Sequence, residues 1–112
     1  MEVNRETIEI ETPNKHKVVL KSWLTGREKR ELKKPLMNKM KFDIEGKGVL
    51  GDAILGELYE EMEDLTIKTV VVSVDGDTEN VVEKVLNLKE EDYDFVLAEI
   101  DKIVKKEHFT NP

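Results

Sequence analysis

Gly46-Lys47-Gly48-Val49-Leu50-Gly51 is a literal G-x-G-x-x-G. That spacing lets a backbone turn sharply and bring its amides against a pyrophosphate. It follows a stretch with strand character, and Asp75 lies 24 residues past its last glycine. The preceding stretch speaks against a nucleotide. Lys39–Glu45 alternates, with Met40, Phe42 and Ile44 on one face and charges on the other. A strand feeding a dinucleotide site is buried on both faces and almost wholly apolar. Glu45 would also face the phosphates with like charge. The hexapeptide therefore reads as a loop, and no cofactor is expected.

Other reactive residue types are sparse. There is no cysteine, hence no thiol nucleophile, disulfide or thiolate metal site. His16 and His108 stand far apart, and neither has a partner at metal-ligand spacing. Ser22 and Ser73 lie outside any nucleophile-elbow pattern. Asp75-Gly76-Asp77-Thr78-Glu79 lacks the spacing and closing glutamate of a calcium loop. The carboxylates at Glu60, Glu61, Glu63 and Asp64 read as a solvated face. Glu90, Glu91, Asp92 and Asp94 read as a helix start, where negative charge meets the positive end of the dipole. No metal site and no enzyme are expected.

One stretch does carry a recognition signal. Across residues 27–41, Arg27, Lys29, Arg30, Lys33, Lys34, Lys39 and Lys41 face only Glu28 and Glu31, and Trp23, the single tryptophan, stands just ahead. Tryptophan with arginine is a common interface anchor, and a basic stripe suits an acidic partner. Trp23, Arg27, Arg30 and Lys34 are the candidate partner-binding residues. The plainer alternative is a core tryptophan beside solvated lysines.

The elements that must position them are legible from local rules. Thr7–Glu11 alternates, Thr12-Pro13-Asn14-Lys15 makes a turn, and His16–Trp23 forms a second strand, together an N-terminal β-hairpin. Thr25-Gly26-Arg27-Glu28 is a capping box opening a helix to about Lys34, which Pro35 kinks or ends. Lys39–Glu45 reads as a third strand. Four of the six glycines fall in Gly46–Gly56, so residues 46–56 read as a flexible segment. Asp52 can cap a short helix beyond Gly51, or the segment is a mobile insertion. Ile67–Val74 is strongly β-prone and reads as a central strand. Two C-terminal helices, Glu79–Leu86 and Glu90–Lys105, complete an α+β fold with a sheet of about four strands packed by helices.

The 112 residues suit one domain spanning 1–112. No signal peptide is apparent, and no apolar run approaches the roughly 20 residues of a membrane helix, so a cytoplasmic protein without membrane contact is expected. Net charge is −7, unevenly spread: residues 1–41 hold 11 Lys/Arg against 6 Asp/Glu, and residues 42–112 hold 7 against 19. The acidic whole argues against nucleic-acid binding. The asymmetry is compatible with a homo-oligomer or an oriented partner.

With these strings in view, the chain resembles the small tail assembly chaperones of long-tailed bacteriophages. The resemblance rests on Trp23-Leu24-Thr25-Gly26-Arg27-Glu28 after the hairpin, Val72-Ser73-Val74-Asp75-Gly76, Asn80-Val81-Val82, and Asp92-Tyr93-Asp94-Phe95-Val96. It covers most of the chain in order, without a counterpart for Gly46–Asp64. It implies a non-enzymatic protein of the infected host cell that binds the tape measure or tail tube protein during virion morphogenesis. A structural virion component (baseplate, neck or decoration subunit) and a small nucleotide-binding module are the alternatives.

Overall fold

The computed structural model describes residues 6–37 and 52–105. Strand β1 (Thr7–Glu11) pairs antiparallel with β2 (Lys17–Lys21), with Ile8 opposite Leu20 and Ile10 opposite Val18. The turn is the expected one, since Lys15 N–H donates to the Thr12 carbonyl at 2.9 Å around Pro13 and Asn14. Lys15 then takes φ 73°, the left-handed residue of a three-residue hairpin loop. A β-carbon is strained there by about 1–2 kcal/mol. Lys15→Gly is accordingly expected to raise the unfolding free energy by about 0.5–1 kcal/mol. At Gly76, φ 86° and open space around the α-carbon leave backbone strain as the sole penalty. Gly76→Ala is expected to lower stability by about 1 kcal/mol. Urea unfolding of the two variants checks both signs.

Among the described residues, β2 is the centre of a three-stranded antiparallel sheet of order β1-β2-β3. β3 (Val71–Val74) sets Val74 opposite Val18 and Ser73 opposite Val19, with a bulge between Val19 and Leu20. Val18 and Leu20 are fully buried, whereas Lys17, Val19 and Lys21 on the other face are exposed or half-buried. One face of the sheet is therefore covered by helices. The expected strand at Lys39–Glu45 and the Gly46–Gly51 segment lie outside the described residues, as does His108.

Helix α1 (Gly26–Leu32) opens on the capping box: Thr25 Oγ1 accepts from Glu28 N–H at 3.1 Å, and Thr25 N–H donates to Glu28 Oε1 at 2.9 Å. It stops earlier than the sequence suggests, at Leu32, and a separate helical turn follows at 34–37. Pro35 falls in the first turn of that second piece, where a missing N–H costs nothing.

The clearest departure is helix α2 (Asp52–Val70), which runs through residues read as the start of a strand. Ile67 and Val70 are fully buried, and Thr66 Oγ1 donates back to the Met62 carbonyl at 2.7 Å. The β-branched run satisfies its burial from the helix, and packing overrides intrinsic preference. Strand β3 begins at the next residue, so the β structure here is four residues long, not eight. Gly56 lies within α2.

Two helices follow as expected, α3 (Val81–Leu86) and α4 (Glu90–Lys105). The buried face of α3 is Val81 and Val85, while Leu86 is exposed. On α4, Val96, Ile100 and Ile103 enter the core with Val18, Leu20, Val70, Val74 and Val85.

Candidate functional site: the basic α1 face and a polar clamp

Trp23 sits in the bend between β2 and α1 and is 41% exposed. It is not the core residue that the plainer reading proposed; the neighbouring Leu24 takes that place, at 4% exposure. Arg27 and Arg30 project from α1, and with Gly26, Glu31 and Lys34 they line one surface depression of about 510 Å³. Spacings of three and four residues put side chains on one helical face, which explains the convergence. Lys34 Nζ pairs with Glu31 at 3.1 Å. Neither Arg27 nor Arg30 has an ion-pair partner among the described residues. Glu28, the one acid of the first turn, is turned back toward Lys21 Nζ at 2.8 Å and the helix cap. The depression thus presents two guanidinium groups to solvent, each able to take a carboxylate in a two-pronged bond.

A second polar cluster was not legible beforehand. Asp92, read as part of a solvated helix start, is 0% exposed. The hairpin tip covers it: Asn14 N–H donates to Asp92 Oδ1 at 3.0 Å, and Asn14 Nδ2 donates to Asp92 Oδ2 at 3.0 Å and to Glu91 Oε1 at 2.8 Å. Burial pushes the Asp92 carboxyl upward. The Asn14 amide and side chain, the Thr12 hydroxyl and nearby His16 outweigh that and hold it below the ordinary carboxylate range. His16 lies between two carboxylates, with Nδ1 at 2.8 Å from Asp75 and Nε2 at 4.0 Å from Asp92.

Asp75 ties the same region to β3. Its carboxylate accepts from Lys17 N–H at 2.9 Å, and its own N–H donates to the Lys17 carbonyl at 2.7 Å. The His16 contact, then the Lys17 amide, lower its pKa. Asp75 and Gly76 both have positive φ between the bridged pair Val74 and Asp77, the geometry of a two-residue hairpin turn. Asp77 in turn accepts from Glu79 N–H and pairs with Lys84 at 2.9 Å, and both contacts lower its pKa.

On the far side of α4, Tyr93 donates its hydroxyl to Glu63 of α2. Burial, with this contact and the surrounding carboxylates, raises the phenol to about 12. These acids and the histidine are each held by structural hydrogen bonds that close the hairpin tip, the β3 turn and α4 onto one another.

Among the described residues, no group of three or more His, Asp or Glu side chains could hold a metal ion, and no helix is long and apolar enough to cross a membrane. Compared with known proteins, the chain matches no family model, no curated protein and no solved structure.

Proposed function

We propose that this chain is a non-enzymatic assembly factor of the tail assembly chaperone kind, acting in the cytoplasm of an infected host cell. Its α1 face would hold a tape measure or tail tube protein until polymerisation. The observation that carries the reading is the convergence of Arg27, Arg30 and Lys34 on one depression, with the exposed indole of Trp23 just upstream. The ordered resemblance from Trp23 to Val96 supports it. An exposed aromatic beside two arginines with no ion-pair partner among the described residues supplies the two components of an interface anchor, apolar area and directed charge.

Co-expression tests this. Solubility of the candidate tape measure or tube protein is scored with and without the chain, and with Arg30→Glu/Lys34→Glu. The wild type is expected to keep the partner soluble and to co-purify with it. The charge-reversed variant should fold normally by circular dichroism and lose that effect. A partner equally soluble in all three cultures, and never co-purified, defeats the chaperone reading. Stoichiometric presence of the chain in purified virions would favour the structural-component alternative instead.

A further inference from the structure

The acidic stripe on α2 repeats the sequence spacing of the basic face built by α1 and the helical turn after it. Arg27, Arg30 and Glu31 on α1 and Lys34 in the turn at 34–37 are spaced i, i+3, i+4 and i+7, with Glu31 already paired to Lys34; Glu57, Glu60, Glu61 and Asp64 have the same spacing on α2. At a rise of about 1.5 Å per residue, the α2 stripe extends over about 10 Å of helix. All four α2 acids are exposed, as are Arg27, Arg30 and Lys34. Among the described residues, no ion pair joins the two stripes within one chain, and none of the four acids has a cationic partner. Lys68 is exposed beyond the far end of the acidic stripe and does not interrupt it.

We infer that the basic face of α1 docks on the acidic face of α2 in a second copy of this chain. Charge complementarity selects the occupant: like spacing and opposite sign put a carboxylate within reach of each guanidinium. Each copy keeps its own acidic stripe while its basic stripe is engaged. One such contact leaves an acidic face open on one copy and a basic face open on the other; these recruit further copies head-to-tail, where a reciprocal pairing of both faces would close a twofold dimer. Exposed ion pairs are individually weak, so the association is reversible and falls as salt shortens the Debye length to about 8 Å at physiological ionic strength. The inference goes beyond the assembly-factor reading and is separable from it. Light scattering of the pure chain reports only self-contact, whereas co-expression reports a different protein.

Two variants with complementary lesions make the test. Arg27→Glu/Arg30→Glu removes the basic face, and Glu60→Lys/Glu61→Lys removes the acidic one. All four positions are exposed, and circular dichroism verifies that both variants fold. At low ionic strength the wild-type mass is expected to rise with concentration past that of a dimer, and to fall back with added salt. Each variant alone should associate about tenfold or more weakly. An equimolar mixture should restore association, because the intact basic and acidic faces meet and the two reversed faces are complementary as well. A wild-type chain that stays monomeric at low salt overturns the inference. So do variants that associate like the wild type, or a mixture that does not pair.

Discussion

Replacing Ile100 with alanine is expected to lower the unfolding free energy by about 2–5 kcal/mol, the range for emptying a packed aliphatic site. Ile100 is 1% exposed and sits on α4 where that helix meets β2, among Val18, Leu20, Val85 and Val96. A domain of this size commonly has about 5–15 kcal/mol in total, so a single such change removes a large share. The neighbouring Glu99 supplies the control. Its partner Lys102, at 3.0 Å, is largely exposed, and Glu99→Ala should shift stability by no more than about 0.5 kcal/mol. Leu97 is half-buried, so Leu97→Ala should fall between the two. Guanidinium unfolding with a common slope measures all three. An Ile100→Ala as mild as Glu99→Ala would mean that α4 is held by something other than its own sheet.

Asp92→Ala is expected to be among the most damaging changes outside the apolar core. It removes the acceptor for the Asn14 amide, leaves Asn14 Nδ2 with Glu91 alone, and empties a fully buried site under the hairpin tip. The same carboxylate sets an acid limit. Its folded pKa lies below the unfolded value, so its contribution is complete above about pH 4 and is lost as pH falls through the lower folded value. Asp75 and Asp77 have the same sign. The wild-type unfolding midpoint should therefore fall with acidification below about pH 4. Asp92→Asn, uncharged at every pH, should start lower and fall less steeply. Parallel acid limbs in the two proteins would remove Asp92 from that account.

The hairpin, the capping box and the register of α4 were legible because each is written in neighbours: Pro13-Asn14, Thr25 with Glu28, and an apolar repeat from Tyr93 to Val104. The basic face was legible for the same reason, since Arg27, Arg30 and Lys34 share one short stretch. Two features were not. Ile67 through Val70 has the composition of a strand, and only the buried sites awaiting Ile67 and Val70 keep it helical. Asp92 has the composition of a solvated helix start, and its burial depends on a hairpin tip 78 positions away. Local spacing holds no record of either. The acidic stripe of α2 was visible as charge, but its match to α1 emerges only once Asp52–Val70 is known to be one continuous helix.

The distance between Asn14 and Asp92 has a consequence in time. A ribosome adds about 5–20 residues per second, so the 78 positions separating the two delay their meeting by roughly 4–16 s. Throughout that interval the Asn14 donors have only water for partners, and a lone two-stranded ribbon is marginal in water. β2 likewise waits for β3, which supplies its second row of backbone bonds. The nascent β1–β2 ribbon is thus the portion of the chain open longest to pairing with foreign strands. The exposed lysines and glutamates along it, Glu9, Glu11 and Lys17, discourage that pairing until the last helix emerges and seals the tip.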